Sequence, residues 1–291
     1  MNDGKKIWLV STDHLEDALW FREEEDFKIG MNYVAVLAAF SAVTILAFIL
    51  MSNHVHFILY GTKEDVLAFI NGFKTRHAQY LRHKYGLREA LRRNGVDIRE
   101  VPEDDEALER AIAYVQMNCV AANICSHPIQ YPWGSGSAFF DASLRKGVPL
   151  STISVRMKRK MLHSKAEFPG HWLVSDEGYI LPSSYLNVRY VESLFRTPQR
   201  MDYFLRTSSK ARKRIESSDS GLPSFRDQIL LAALPDLCRS MFGKAGWNDL
   251  SEAEQSEMLR QLRFRFSSNV NQLARVAGLS YEAAARLLDA V

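Results

Sequence analysis

The chain is short of cysteine, lacks a phosphate-cradling glycine loop and carries almost no net charge, and each shortage excludes something. Its 3 cysteines, Cys119, Cys125 and Cys238, form neither a Cys-x-x-Cys pair nor an even framework. That argues against a disulfide-stapled secreted domain and fits a reducing cytoplasm. All three read as small buried hydrophobes. No GxxxxGK[ST] occurs, and Gly134-x-Gly136 lacks a third glycine at dinucleotide spacing because Phe139 stands there, so nucleotide triphosphates are not indicated. A formal charge of +3 over 291 residues does not by itself demand a nucleic-acid partner, and only local clustering can. Repeats and low-complexity tracts are absent, and MNDGKKIWLVSTDH turns polar too early to be a signal peptide.

An apolar share of 47% supports a buried core in one large or two modest domains. The uncharged run Met31 to Met51 is long enough to cross a bilayer. However, Asn32, Ser41 and Thr44 interrupt it, Glu23 to Asp26 precede it without a Lys/Arg cluster behind, and β-branched character rises after Ser41. A buried helix over about 24–40 feeding a central strand over about 43–51 accounts for the same letters, and no membrane partner is expected.

The stretch ILAFILMSNHVHFIL, Ile45 to Leu59, then reads as two strands broken at Ser52-Asn53. Side chains two apart leave the same face of a strand about 7 Å apart, so His54 and His56 point together. Two imidazoles on one face are half of a metal site; the alternative is a pair of partly exposed strand histidines. Lys6 to Ser11 reads as an opening strand. Asp65 to Tyr85 reads as an amphipathic helix whose back carries Lys74, Arg76, Arg82 and Lys84, a solvated face or a set of phosphate contacts. Gly95 to Val101 alternates like a half-buried strand. Pro102 to Glu106 opens a helix with carboxylates over the positive end of its dipole. The order predicts an α+β fold with a ferredoxin-like antiparallel sheet and packed helices.

On that last helix Tyr114 and Asn118 stand four apart, hence on one face. An amide oxygen beside a phenol can complete a two-histidine metal site and supply a nucleophile; the competing reading is a core aromatic with its hydroxyl at the rim.

Taken together, ILAFILMSNHVHFIL, AYVQMN before VAANI, and HPIQYPWGS resemble the REP-associated tyrosine transposases, single-tyrosine members of the HUH endonuclease group, over roughly residues 6–140. The resemblance implies that His54, His56 and Asn118 hold a divalent metal, Mg2+ or Mn2+. It also implies that Tyr114 is the nucleophile, acting on single-stranded or hairpin DNA through a 5′-phosphotyrosine intermediate, and that the protein is a homodimer. Two departures stand out. Ser52 replaces the family's common proline, and Asn118-Cys119-Val120-Ala121-Ala122-Asn123 replaces Asn-Pro-Val-Arg-Ala-Gly, losing an arginine that could touch DNA.

Beyond Ser151 the composition shifts. Arg156, Lys158, Arg159, Lys160 and Lys165 form one basic segment, and Arg206, Lys210, Arg212, Lys213 and Arg214 another, before a linker at Glu216 to Pro223. Amphipathic helices follow over Phe225 to Phe242 and Glu252 to Phe266. The last stretch, about 270–288, resembles a helix-turn-helix with Gly278 at the turn and Ser280 as a cap, though a plain helical hairpin fits the same pattern. Its second helix offers Tyr281, Glu282 and Arg286 as polar readers. The division expected is a catalytic domain over 1–140, a basic connecting region over 141–222 and a mostly helical domain over 223–291. Two readings compete with a cutting and joining enzyme: a non-catalytic DNA-binding regulator that keeps the transposase-like domain, and a metallohydrolase using His54 and His56 with water.

Overall fold

Strand β1 (Lys6–Thr12) is followed by helix α1 (Glu24–Phe40), strand β2 (Thr44–Met51), strand β3 (His54–Gly61), helix α2 (Lys63–Tyr85), strand β4 (Val96–Glu100) and helix α3 (Asp105–Gln116). This computed structural model describes residues 4–12, 19–87, 95–122, 124–209, 227–266 and 268–289. The uncharged run is divided between α1 and β2, and no helix among the described residues is long and apolar enough to cross a membrane.

Local chemistry sets the boundaries. Asp26 folds back at the start of α1 to accept from the backbone N–H groups of Arg22 and Glu23, at 2.8 and 3.2 Å, satisfying donors that have no partner inside the helix. Thr62 caps α2 by accepting from Asp65 N–H at 3.1 Å, and Gly86, at φ +72°, ends it. Asp104 does the same for α3 through Ala107 N–H at 3.0 Å.

The four strands pair antiparallel in the order β2-β3-β1-β4, with β2 and β3 joined by the two-residue turn Ser52-Asn53. One face of β3 presents Phe57 to Phe69 and Phe73 of α2, at ring-centroid distances of 5.3 and 5.8 Å. The alternate residues, His54 and His56, turn to the other face, where α3 lies. The outer edge of β2 is covered by Trp133-Gly134-Ser135: Leu50 N–H donates to Trp133 O at 2.8 Å and Ser135 N–H to Phe48 O at 2.9 Å. A Cβ on Gly134 would stand 3.0 Å from Phe48 O, so the glycine permits this approach, and the Gly-x-Gly segment serves the sheet edge.

A short helix α4 (Asn118–Ala121) continues from α3, and α5 (Val155–Leu162) packs Leu162 with Trp172, Val174 and Ile180 against Ala35 and Val36 of α1. Strands β5 (Val148–Pro149) and β6 (Leu173–Val174) pair as a small second sheet. Helices α6 (Val188–Phe195) and α7 (Pro198–Thr207) follow. Their residues Val191, Phe195, Phe204 and Leu205 belong to the same apolar core as the four-stranded sheet. Arg200 of α7 clamps the buried carboxylate of Glu109 at 2.5 and 2.7 Å. The connecting region is therefore partly built into the main core.

The linker Glu216 to Pro223 and the basic residues 210–214 lie outside the described residues. Beyond them α8 (Asp227–Phe242), α9 (Glu252–Phe266), α10 (Val270–Ala277) and α11 (Tyr281–Asp289) share a second core made of Leu234, Leu259, Leu273, Ala284, Leu287 and others. Gly278, at φ +66°, joins α10 to α11, and Ser280 accepts from Ala283 N–H at 3.1 Å. Leu19 also enters this core. Ser52 in the β2-β3 turn donates to Arg265 O of α9, whose guanidinium reaches Arg22 O at 3.3 Å. The helical region thus rests directly on the turn that carries the histidine pair.

Candidate active site

The hairpin places the two histidines at its end. Met51 pairs with His54 and Ile49 with His56, so both rings start within three residues of the turn. Their centroids lie 4.8 Å apart with planes at 86°, and both residues are buried, at 5% and 4% exposure. His54 Nδ1 lies 2.7 Å from Asn53 Oδ1. An amide oxygen can only accept, so Nδ1 carries the proton and Nε2 the lone pair. His56 Nδ1 lies 2.7 Å from Ser11 Oγ, and with that nitrogen donating to the hydroxyl its Nε2 is likewise the basic nitrogen.

Tyr114 enters from α3. Its ring centroid is 5.9 Å from that of His56, near perpendicular at 82°. The phenol is half-buried, and burial pushes its pKa above the ordinary value; Arg99 opposes this and Asp97 adds to it. One turn on, Asn118 is buried, and its amide NH2 donates to Tyr114 O at 2.9 Å and to Val115 O at 3.0 Å. Those bonds fix the side chain against its own helix and leave the oxygen as the end that can meet a cation. Among the described residues no three His, Cys, Asp or Glu side chains converge. Asn118 brings an amide oxygen to the helix that carries Tyr114, one turn further on.

Register adds three residues that sequence reasoning missed. Ser11 pairs with His56 on one side and with Asp97 on the other, so His56, Ser11 and Asp97 stand in a row across three strands on one face. Arg99, two residues on, shares that face and reaches Asp97 at 2.6 Å. The signal in the sequence was the alternation of GVDIREV, which gives the face of Asp97 and Arg99 but not the strand beside which β4 lies.

No family model matches the chain, and no curated protein does. One solved structure is similar, that of a REP-associated tyrosine transposase bound to a REP hairpin. It is 11% identical over 57% of this chain and 90% of that chain, with a TM-score of 0.37. A likeness at that level decides nothing about this chain, so the site stands on its own geometry.

The basic residues expected at DNA divide. Arg82 is exposed, and Lys74 and Arg76 are half-buried on α2. Lys84 is engaged internally: its ammonium bonds Asp26 at 2.7 Å, Tyr80 Oη at 2.8 Å and the carboxylate of Glu23. Asp26, fully buried, also accepts from Tyr80 at 2.7 Å and from Tyr85 at 2.9 Å. This network ties the start of α1 to α2. Tyr281 and Arg286 are both exposed on α11, far along the chain from the histidines.

Cys119 and Cys238 are buried and Cys125 is half-buried, and none of the three is in a disulfide. Burial and the neighbouring Cys125 push the Cys119 thiol well above its ordinary value, which keeps it a neutral packing group.

Proposed function

We propose that this chain cuts and rejoins DNA, with Tyr114 as nucleophile on single-stranded or hairpin substrate. The observation that carries the reading is the placement of the Tyr114 ring 5.9 Å from His56, itself beside His54. The strand and helix order, β1-α1-β2-β3-α2-β4 with sheet order β2-β3-β1-β4, supports a ferredoxin-like frame for this site.

The donor set fits a divalent cation such as Mg2+ or Mn2+. Two Nε2 lone pairs are oriented by Asn53 and Ser11, and the amide oxygen of Asn118 stands one helical turn from Tyr114. His54, His56 and Asn118 would hold it, and when bound it would neutralise charge on the non-bridging phosphate oxygens.

The chain's own residues supply the rest. Tyr114 Oη forms a bond to phosphorus as the bond to the 3′-oxygen breaks. The phenolic proton leaves, the 3′-oxygen is released as a hydroxyl, and a 5′-phosphotyrosine remains. Because the phenol is held above its ordinary pKa, it needs a base as it attacks. Asp97 is the carboxylate in electrostatic reach of Tyr114, and Arg99 favours the phenolate. The link keeps the phosphodiester's bond energy, which allows rejoining without a nucleotide cofactor. DNA is the partner in this reading, and a homodimer is part of the proposal.

A second reading, a DNA-binding regulator, draws support from the α10-α11 pair with its exposed Tyr281 and Arg286. The test is a denaturing gel of protein incubated with labelled hairpin DNA and Mn2+. Wild type is expected to give a covalent adduct, and Tyr114→Phe to bind the same DNA without one. Wild-type binding with no adduct on flanking inverted repeats favours the regulator, and undiminished cleavage by Tyr114→Phe favours a metallohydrolase.

A further inference from the structure

Helix α5 concentrates positive charge that the site does not use. Arg156, Arg159 and Lys160 are all exposed, and their i, i+3, i+4 spacing puts them on one helical face. Lys158 is half-buried and Lys165 exposed; among the described residues none of these five cations makes an ion pair. Surface cations left in this way face water or a polyanion.

The helix packs on α1, and its C-terminal end is anchored beside both α1 and α2. His163, which caps α5 at φ +47°, meets Tyr33 of α1, with Nδ1 2.8 Å from the phenol oxygen. Its ring also lies 6.3 Å from that of Tyr80 on α2. A non-glycine residue at positive φ is uncommon and costly, so the contacts on both sides hold this end in place. Arg76 of α2 lies in electrostatic reach of Tyr33, and His83 in reach of His163. A groove of about 460 Å³ runs behind α5, with Glu25, Asp176 and Glu177 among its lining residues. Lys28 and Lys160 line it too, but the three carboxylates outweigh them and disfavour a polyanion inside; Arg156 and Arg159 do not line it, and the exposed Lys160 is shared between the groove and the outer face.

We propose that the outer face of α5, continued by Arg76 and His83 of α2, binds the phosphodiester backbone of a nucleic-acid duplex, the stem of a hairpin substrate. The choice of substrate rests on the cutting and joining reading. The helix carries no aromatic side chain, and single strands are held on stacking platforms. An anionic membrane fits less well. The exposed apolar residues, Val155 at 61% and Met157 at 53%, point about 200° apart around the helix and form no insertable face.

The test is salt-dependent binding of a fluorescent DNA hairpin by wild type and by the triple variant R156Q/R159Q/K160Q. Three lost phosphate contacts should flatten the slope of log K against log salt by about 2.7. The charge-preserving variant R156K/R159K/K160R should keep the wild-type slope. Should the triple variant lose its folded circular-dichroism spectrum, the single Arg159→Glu change should still lower the slope by about 0.9. An unchanged slope overturns the proposal, as does loss of binding to phosphatidylserine vesicles with DNA binding intact. Tyr114→Phe should leave the slope untouched. A wild-type protein that forms no adduct while the triple variant still flattens the slope sinks the catalytic reading and sustains the platform.

Discussion

Ser11 and His56 face each other across β1 and β3, with the hydroxyl oxygen 2.7 Å from Nδ1. That contact holds the ring's orientation, and with Nδ1 donating to the hydroxyl it leaves Nε2 as the basic nitrogen. Ser11→Ala should therefore weaken Mn2+ binding about 10- to 100-fold while the protein remains folded. Isothermal titration calorimetry with Mn2+ checks it, and affinity equal to wild type would remove Ser11 from the site.

Arg99 pulls the Tyr114 phenol down against the upward push of burial. Arg99→Ala should raise its pKa further, so the alkaline rise in tyrosine absorbance at 295 nm assigned to Tyr114, by difference from Tyr114→Phe, should move to higher pH. Adduct formation at neutral pH should slow with it. A shift to lower pH would contradict the placement.

His77 is buried, stacked on Phe73 and Trp20, with Nε2 on Trp20 O, and burial lowers its pKa to about 4. Above its unfolded value of about 6.5 the ring is neutral in both states and favours neither. As pH falls from about 6.5 towards 4 the unfolded chain takes up a proton that the folded one refuses, so stability drops, in total by about 3 kcal/mol. Urea unfolding across that window should show a pH slope reduced by about one proton in His77→Phe. A slope identical to wild type would exclude His77 as its source.

Asp26 gathers Tyr80, Tyr85, Lys84 and two backbone N–H groups around one buried carboxylate. Asp26→Ala leaves those donors without their acceptor and should cost about 3–5 kcal/mol. Equilibrium denaturation measures it, and a loss below about 1 kcal/mol would show that water replaces the carboxylate.

Much of the frame was legible because local signals set it. The turn at Ser52-Asn53, the helix starting beside Glu23 and the helix-capping Asp104 all follow from residue types next to one another. The face shared by His54 and His56 follows from strand periodicity alone. What local signals do not hold is which strand lies beside which: Ser11 and Asp97 join the histidines only because β1 pairs with both β3 and β4. Lys84 looks like its neighbour Arg82 in the sequence, and only tertiary packing turns it inward to Asp26. Residues 188–207 read as part of a basic connection by composition, yet Val191, Phe195 and Phe204 help fill the main core.

The segment Trp133-Gly134-Ser135, laid along β2, also bears on how copies of this protein meet. A bare strand edge offers unpaired N–H and C=O groups that invite another chain to add on and polymerise. On the β2 side those groups are already engaged by Trp133 and Ser135. On the β4 side the exposed strand reads Val96-Asp97-Ile98-Arg99-Glu100, where charge discourages a second strand from docking. The sheet that carries the histidines is thus guarded against edge-to-edge aggregation by a glycine on one flank and by charge on the other.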